Sequence, residues 1–200
     1  MSEFNVNQAK IRVAEYTVKT ELDKLLIDMN KIYIVALGSG STAIHAAKFI
    51  DEIDEKLNAI KGGGGCLTLE KIVAYTSHRV AIMADSRKLS KKLGDNYFDG
   101  IPIEIIPSSH RLITKIFETE YFDTCNLRMG VKKQGPVITD NGNFILDWKF
   151  KHDYDWKFTE SDLQIIPGIV EVGIFPSKYI DVAYICNVEN YSISTLYPNE

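Results

Sequence analysis

The 200-residue sequence has few cysteines, no surplus of positive charge and no long apolar run. Its three cysteines, Cys66, Cys125 and Cys186, are far apart and form no CxxC pair, which disfavours a disulfide framework and a zinc site. The net charge of −4 leaves no excess cations for a phosphate backbone, so general nucleic-acid binding is disfavoured. No run approaches the roughly 18 apolar residues of a membrane span, and the N-terminal residues lack the apolar core of a secretion signal. We therefore expect a cytoplasmic protein with reduced thiols and no membrane contact.

Several catalytic signatures are also missing. The four histidines, His45, His78, His110 and His152, show neither the HxxxH nor the HExxH spacing of a metal site. The chain has no GxSxG motif, and no cysteine has neighbours that would activate it. Metal-centred and acyl-transfer chemistry are therefore disfavoured. A composition of 45% hydrophobic and 25% charged residues is that of an ordinary globular enzyme, for which we expect an α/β fold.

A strand, a glycine turn and a helix are predicted after a first helix over residues 7–29. Residues 32–37 form a nearly continuous apolar run, typical of a strand covered on both faces of a parallel sheet. The run ends at the sequence GSGST, and helical character resumes over residues 43–50. Backbone N–H groups at such a helix N-terminus favour an anion, and the hydroxyls of the turn add donors. The segment therefore indicates a phosphate site, with a plain strand-to-helix turn as the alternative.

The same turn satisfies the dinucleotide fingerprint GxGxxA. That function needs an acidic residue about 20 residues later, at the end of a second strand. Here this position falls in the string LNAIKGGGG, which contains no acidic residue. A nucleotide-dependent enzyme is therefore a weak alternative.

The rest of the chain alternates predicted helices and strands. A helix over LTLEKIVAYTS carries Glu70, and the Asn-Gly pair at 141–142 predicts a tight hairpin, because this pair tolerates positive φ. The predicted strands cover residues 79–84, 101–107, 137–139, 144–148, 169–175 and 180–187, the last of which closes the chain. The alternating strands of the second half indicate an α+β block distinct from the parallel-sheet part.

The tract Lys61-Gly62-Gly63-Gly64-Gly65 lies between apolar residues, which places it inside a folded region and not in a linker. Glycines allow backbone amides to approach a small ligand closely, and Lys61 adds a cation at the edge of the tract. Glu70 follows at the start of the predicted helix, where a lone glutamate often only balances the helix dipole. Taken together, a phosphate site, a lysine, a glycine wall and a carboxylate suit proton abstraction next to a carbonyl.

Four separated blocks carry a family resemblance. They are GSGSTA at 38–43, DEID at 51–54 leading to KGGGGCLTLEKIVA at 61–74, Ala84-Asp85 with Lys88, and TDNGN at 139–143 followed by IPGIVEVG at 166–173. With these blocks in this order, the chain resembles the type A ribose-5-phosphate isomerase family. The KGGGG block is highly specific for that family, whereas GSGSTA alone would not be.

The resemblance implies a Rossmann-like parallel-sheet domain, formed by residues 1–100 and 176–200, and a smaller α+β lid of the ferredoxin-like kind over residues 101–175. It implies an enzyme of the pentose phosphate pathway that interconverts ribose 5-phosphate and ribulose 5-phosphate through an enediolate, without metal, nucleotide or other cofactor. A small sugar phosphate is the implied partner, and a homodimer or homotetramer is the implied assembly.

The resemblance also implies roles for individual residues. Glu70 matches the general base, Lys61 and the glycine amides match the groups that stabilise negative charge, and Asp51 matches an aspartate that assists ring opening. Lys88 matches a substrate-binding lysine, and Arg87 stands where the family usually has serine. The implied substrate contacts are Ser39, Gly40, Ser41, Thr42, Asp51, Lys61, Gly62, Gly63, Gly64 and Lys88.

The interval between Thr42 and Asp51 departs from the family pattern. It spans nine positions, whereas the family has a helix, a strand, a helix and a strand there, and one βαβ unit alone takes roughly 30 residues. Residues 41–60 also fit a single helix, which would remove Asp51 from any site.

Three explanations of the short interval stand. The molecule contains a further segment, missing here between residues 48 and 51, which we favour because the motifs on both sides are intact. Alternatively, the chain is truly shortened and is a non-catalytic sugar-phosphate-binding protein, or it handles a different substrate. An intact mass of 22.6 kDa would eliminate the first explanation.

Overall fold

The computed structural model describes residues 3–25, 50–132, 134–151 and 154–198. In these ranges the helices are α1 (Glu3–Leu25), α2 (Leu67–Thr76), α3 (His110–Ile116) and α4 (Trp156–Gln164). The strands are β1 (Glu52–Asp54), β2 (Ala59–Ile60), β3 (Ala81–Asp85), β4 (Leu89–Ser90), β5 (Ile101–Ile105), β6 (Thr124–Leu127), β7 (Phe144–Lys149), β8 (Ile169–Val172), β9 (Ile174–Phe175), β10 (Val182–Cys186) and β11 (Ile193–Leu196). The predicted strand over 32–37, its glycine turn and all but the last residue of the helix predicted over 43–50 lie outside the described residues.

Helix α1 packs against a sheet in the order β11-β10-β3, in which β10 runs parallel to β3 and antiparallel to β11. The helix buries Val6, Ala9 and Val13, which recur every three to four residues and form one apolar stripe facing the sheet. The first helix predicted from the sequence is confirmed as far as Leu25. The prediction that the strand over 180–187 closes the chain is wrong, because the chain turns back to form β11.

Residues 52–60 form an antiparallel hairpin, β1 with β2. The Asp54 carboxylate stabilises the turn by accepting hydrogen bonds from the backbone N–H groups of Lys56 (2.9 Å) and Asn58 (2.8 Å). The alternative of one helix over residues 41–60 is therefore wrong for its described part. The hairpin brings its two ends together, since the N–H of Asp51 donates to the carbonyl of Ile60 at 2.9 Å. Asp51 thus lies beside the start of the glycine tract.

This hairpin belongs to a sheet in the order β4-β1-β2-β9, in which β1 and β4 are parallel and the other pairs are antiparallel. The side chains packed between this sheet and the β3–β10 sheet are apolar and almost fully buried. They include Ile50, Ile53, Leu57, Ala84, Phe175 and Ile185.

The second half forms an antiparallel sheet in the order β6-β7-β5-β8. Helices α3 and α4 contribute Ile113, Trp156 and Leu163 to its core, in which Trp148 is completely buried. The strand predicted at 101–107 and the second arm of the predicted hairpin are confirmed as β5 and β7. The first arm, 137–139, is reduced to a single bridge between Ile138 and Phe144, because β7 pairs along its length with β5 and β6.

The strand predicted over 169–175 is divided at Gly173. Strand β8, before it, pairs with β5, and β9, after it, pairs with β2 in the other sheet. The N–H of Gly173 donates to the carbonyl of Pro102 at 2.7 Å, and its carbonyl accepts from the N–H of Lys61 at 2.9 Å. Gly173 is therefore the point at which the two sheets meet. Within the described ranges, none of the helices combines the length and the apolar character that a membrane crossing needs.

Candidate functional site

The glycine tract forms the turn between β2 and α2. The N–H of Gly65 donates to the carbonyl of Gly62 at 2.9 Å, and both glycines have positive φ, +94° and +91° for Gly62 and Gly65. A Cβ atom at Gly62 would lie 2.6 Å from the Cβ of Leu67, so residue 62 needs glycine for space as well as for backbone conformation. Gly63 and Gly64, by contrast, are exposed.

Asp51 contacts this turn directly. Its Oδ2 atom accepts a hydrogen bond of 2.7 Å from the N–H of Gly63. Burial raises the pKa of the Asp51 carboxyl above its ordinary value, while the Gly63 N–H and the positive charges of Lys88 and Lys61 act in the opposite direction. Asp51 is therefore a carboxyl group that retains a proton more readily than an exposed aspartate does.

Lys61 and Glu70 face each other across the tract. The Lys61 Nζ atom lies 3.3 Å from Glu70 Oε2, and the lysine side chain is only 7% exposed. It also lies 5.5 Å from the centroid of the Phe175 ring. Glu70 Oε2 is buried and, apart from its proximity to Lys61, meets no hydrogen-bond donor in the described part of the chain. The two side chains thus place a fixed cation beside a carboxylate in the first turn of α2.

Helix α2 is anchored through Lys71, the residue that follows Glu70. The Lys71 ammonium donates to Glu160 Oε1 (3.0 Å), Glu171 Oε1 (2.7 Å) and the carbonyl of Val172 (2.6 Å). Lys71 and Glu160 are both buried, so these bonds are shielded from water. Since Lys71 follows Glu70 directly, this network fixes the rotation of the helix that carries the Glu70 carboxylate.

A second anchor holds the start of α2. The Glu104 carboxylate on β5 accepts hydrogen bonds from the hydroxyls of Thr68 (2.5 Å) and Thr139 (2.8 Å) and from the amides of Asn141 (3.0 Å) and Asn143 (2.9 Å). Burial acts to raise the Glu104 pKa, but these bonds outweigh it, and the pKa lies below its ordinary value. The TDNGN turn is therefore joined through Glu104 to the helix that carries Glu70.

Replacing Glu104 with glutamine is expected to lower the free energy of unfolding at pH 7 by about 1–3 kcal/mol, because a neutral amide would replace the charged carboxylate that four side-chain donors now meet. The difference from the wild type should shrink as the pH falls below the ordinary carboxyl pKa of about 4.3. A carboxyl with a depressed pKa stabilises the fold above its unfolded-state pKa and loses that effect as it is protonated. Urea unfolding at pH 7 and pH 4 measures the loss of stability and its dependence on pH. The control is Glu55→Gln, at an exposed position, which should have wild-type stability at both pH values. Equal stability of Glu104→Gln and wild type at pH 7 would contradict the proposed anchor.

Sequence reasoning missed Arg128 and Asp147. Arg128 follows β6, and its guanidinium forms a bidentate hydrogen-bonded ion pair with the Asp147 carboxylate on β7. It also donates to the carbonyls of Gly62 and Gly63. No local pattern marks Arg128, because its contact with the tract exists only once β6 pairs with β7 and this sheet meets the glycine turn.

The structure brings together Asp51, Lys61, Gly62, Gly63, Gly64 and Glu70, with the charge of Lys88 acting on Asp51. Arg87 forms an ion pair with the buried Asp85 carboxylate at 2.8 Å. The predicted phosphate-turn residues Ser39, Gly40, Ser41 and Thr42 lie outside the described residues. The described part of the site is therefore a carboxylate–lysine pair, a second carboxyl with a raised pKa, and a wall of backbone amides.

Comparison with known proteins identifies relatives of this chain. A model of the family described as ribose 5-phosphate isomerase A (phosphoriboisomerase A) matches residues 23–190. The human ribose-5-phosphate isomerase is 50% identical over 125 residues, which are 62% of this chain and 40% of the human protein. Ribose-5-phosphate isomerase A of Treponema denticola is 48% identical over 140 residues, 69% of this chain and 56% of that protein. The chain thus matches from about two fifths to little more than half of the length of these relatives.

Solved structures agree with these matches. A D-ribose-5-phosphate isomerase in complex with phospho-erythronic acid superposes with a TM-score of 0.69 and 39% identity, covering 74% of this chain and 62% of that one. Ribose 5-phosphate isomerase A of Methanocaldococcus jannaschii gives a TM-score of 0.67 and 40% identity, covering 74% and 63%. The mixed α/β fold, with its parallel and antiparallel strand pairs, matches these structures. Because the family match extends over residues 23–190, the chain belongs to the ribose 5-phosphate isomerase A family.

Proposed function

We propose that this chain is an aldose–ketose isomerase that interconverts D-ribose 5-phosphate and D-ribulose 5-phosphate in the pentose phosphate pathway. The observation that carries the proposal is the Glu70 carboxylate held 3.3 Å from the buried Lys61 ammonium at the edge of the glycine tract. A base next to a cation suits a reaction that removes a proton beside a carbonyl and leaves negative charge on the adjacent oxygen.

In the proposed reaction, Glu70 removes the proton from C2 of open-chain ribose 5-phosphate. The electron pair of that C–H bond forms the C1–C2 double bond, and the carbonyl electrons move to the oxygen on C1, giving an enediol(ate). Lys61 and the amides of the glycine tract stabilise the developing charge, in a place where water competes little because Lys61 is buried. The C2 hydroxyl then gives up its proton, and the oxygen on C1 takes one up and becomes a hydroxyl. As the electron pair on the C2 oxygen forms the C2 carbonyl, the C1–C2 double-bond pair takes the proton from the protonated Glu70 onto C1, which gives ribulose 5-phosphate and restores the Glu70 carboxylate.

Asp51 suits the preceding ring opening. The hemiacetal of the cyclic sugar must lose a proton from its hydroxyl while the ring oxygen gains one, and a carboxyl group can relay both. Because its pKa is raised by burial, Asp51 can hold a proton closer to neutral pH than an exposed aspartate. Lys88, whose charge acts on Asp51, and residues 39–42 are proposed as the remaining substrate contacts.

The ligand of one related structure supports this chemistry. Phospho-erythronic acid, bound to that isomerase, carries a planar carboxylate at one end and a phosphate at the other. The carboxylate resembles an enediolate in placing two oxygens and negative charge in one plane. A site built to stabilise an enediolate would therefore bind such an acid well.

We further propose that residues 101–175 are a lid of the ferredoxin-like kind on a Rossmann-like domain formed by residues 1–100 and 176–200. In support, the elements of the second half follow the order β5-α3-β6-β7-α4-β8, and their antiparallel sheet has the order β8-β5-β7-β6. The same proposal includes a homodimer or homotetramer and a cytoplasmic location, and it needs no metal or nucleotide.

The second candidate is a non-catalytic sugar-phosphate-binding protein, which the short interval between Thr42 and Asp51 favours. Ribose 5-phosphate turnover with a chelator present, together with the thermal shift caused by the same sugar, separates the two on a sample of known intact mass. We expect turnover and stabilisation together. Stabilisation without turnover would establish the binding protein, and the absence of both would contradict either function.

Replacing Gly63 with alanine is expected to reduce turnover by about 10- to 100-fold with little change in thermal stability. The new Cβ would lie 2.5 Å from Asp51 Oδ1, and the end of that side chain can move away, which costs the site its positioned carboxyl but leaves the backbone in place. Initial rates and thermal denaturation measure the two effects.

The matched background for this change is Asp51→Asn. If Gly63→Ala acts by displacing the carboxylate, adding it to Asp51→Asn should lower the rate by less than about threefold, since neighbouring changes that share one mechanism are not additive. Full additivity of the two losses would contradict this explanation.

A further inference from the structure

We propose that Arg128 is a positioning residue for the glycine tract: it holds the carbonyls of Gly62 and Gly63 so that the N–H of Gly63 faces Asp51 and the N–H of Gly64 faces the substrate. The inference rests on the proposed isomerase function, in which the Gly64 N–H stabilises the enediolate. Arg128 itself need not touch the substrate.

Arg128 forms four hydrogen bonds through its side chain, and we call this set the clamp. Arg128 Nη1 donates to the carbonyls of Gly62 (3.1 Å) and Gly63 (3.0 Å). Its Nε donates to Asp147 Oδ2 at 2.9 Å, and its Nη2 donates to Asp147 Oδ1. The Arg128 and Asp147 side chains are each only 16% exposed, so the fork between them is well shielded and holds the guanidinium plane in one orientation.

Because Arg128 holds two carbonyls in place, the geometry of the peptide bond also fixes the directions of two N–H groups. In a trans peptide the C=O and the following N–H point in opposite directions. The Gly62–Gly63 peptide demonstrates this, because its carbonyl meets Arg128 while its N–H donates to Asp51. The Gly63–Gly64 peptide has its carbonyl on the same Nη1 atom, so the N–H of Gly64 is turned away from Arg128.

The Gly64 N–H has no acceptor in the part of the chain that the structure describes, and a Cβ at this residue would meet nothing within 4 Å. Gly64 is exposed, so its N–H is accessible to a ligand, one residue after the amide that donates to Asp51. Successive backbone N–H groups on one side of a turn form an anion-binding concavity. The Gly63 and Gly64 amides have this arrangement, with one already bonded to a carboxylate.

An external clamp is needed because the tract has little conformational preference of its own. Glycine populates positive and negative φ about equally. The Gly63–Gly64 peptide therefore has little conformational preference for the orientation that places its N–H on the substrate side. A guanidinium suits the task, since it is planar and presents five donors in a fixed fork. A lysine keeps the charge but cannot hold the Asp147 carboxylate and both carbonyls at once.

The test compares Arg128→Lys and Arg128→Met with Arg79→Lys as the matched control. Arg79 forms a similar fork with Glu21, through Nε (2.5 Å) and Nη2 (3.2 Å), before the start of β3. Removal of one donor to a developing oxyanion lowers kcat by about 10²- to 10³-fold, so its misorientation should cost about 10- to 100-fold. We expect this loss in kcat for both Arg128 variants, with KM within about threefold and Arg79→Lys unchanged.

Binding of phospho-erythronic acid, measured by calorimetry, is the readout that loss of general stability would not move. Its affinity should fall in both Arg128 variants by about the same factor as kcat/KM, at a temperature where all proteins are folded, and stay unchanged in Arg79→Lys. Wild-type rates and inhibitor affinity in Arg128→Lys would overturn the positioning role while leaving the proposed function intact.

Failure of the proposed function gives a different pattern. If the wild-type chain binds phospho-erythronic acid but does not turn over ribose 5-phosphate, the isomerase proposal is wrong, and the affinity ratios alone decide the role of Arg128. If the wild type neither turns over the sugar nor binds the acid, both inferences are overturned.

Discussion

Replacing Glu70 with glutamine is expected to lower kcat for ribose 5-phosphate isomerisation by about 10²- to 10⁴-fold, the usual contribution of a positioned general base. Glutamine has the same shape, so it keeps the packing at the start of α2 but cannot accept a proton from C2. The side chain of Glu70 is 20% exposed, and the helix is held by Lys71 and Glu104 independently of it. The thermal midpoint should therefore change little.

The matched control is Glu118→Gln, which also removes the charge of a glutamate paired with a lysine. Glu118 lies 3.7 Å from Lys115 in an exposed pair, which contributes little to stability. This variant should retain wild-type kcat and KM. Glu70 is not the base if Glu70→Gln keeps its activity within about tenfold of the wild type.

Replacing Gly173 with alanine is expected to lower the free energy of unfolding by about 3 kcal/mol or more, at the upper end of what overpacking costs. The added Cβ would lie 2.4 Å from the carbonyl oxygen of Lys61 and 2.8 Å from the carbonyl oxygen of Pro102. Both are backbone atoms, of Lys61 directly after β2 and of Pro102 in β5, so no side-chain movement can relieve the contact. At about 2–4 °C per kcal/mol for a chain of this size, the thermal midpoint should fall by about 6–12 °C.

Gly64→Ala is the control for this change, because residue 64 has no positive φ and its Cβ would meet no neighbour within 4 Å. Its thermal midpoint should equal that of the wild type. A Gly173→Ala protein as stable as the wild type in thermal and urea unfolding would show that the two sheets do not meet as closely at this residue as described. Because the carbonyl of Lys61 is one of the contacts, surviving folded Gly173→Ala protein should also have reduced activity.

Most of the central residues of the candidate site were predictable because they are close in sequence. Lys61, the glycine tract and Glu70 lie within ten positions of one another, and their residue types indicate a site locally. Asp51 was indicated only by the family resemblance, because residues 41–60 also fit a single helix and nothing local marked the β1–β2 hairpin that brings Asp51 to the tract. Periodicity likewise identified α2, β3 and β5. Their apolar residues follow the repeat of the element that they form.

The contacts that hold the site were not predictable in this way. Arg128 reaches the tract only because β6 pairs with β7, and Glu104 meets Thr68 and the TDNGN turn only because β5 lies between β7 and β8. Strand β11, with the sequence ISTL, is too short and too polar to stand out. The run over 169–175 reads as one strand in sequence, and only the tertiary structure divides it between two sheets.

The proposed mechanism predicts the source of the hydrogen that is added to C1 of the product. If Glu70 carries the proton between C2 and C1, and its side chain is partly exposed, the protonated carboxyl exchanges with water before some of the return transfers. A reaction run in D₂O should then leave deuterium on C1 of the product. A direct hydride shift from C2 to C1 would leave none.

The most direct measurement is therefore NMR of ribose 5-phosphate incubated in D₂O with the wild-type chain, its intact mass verified and a chelator present. We expect that ribulose 5-phosphate forms and carries deuterium at C1. The absence of ribulose 5-phosphate would contradict the proposed isomerase activity, and its formation with only the substrate's own hydrogen at C1 would contradict proton transfer through Glu70.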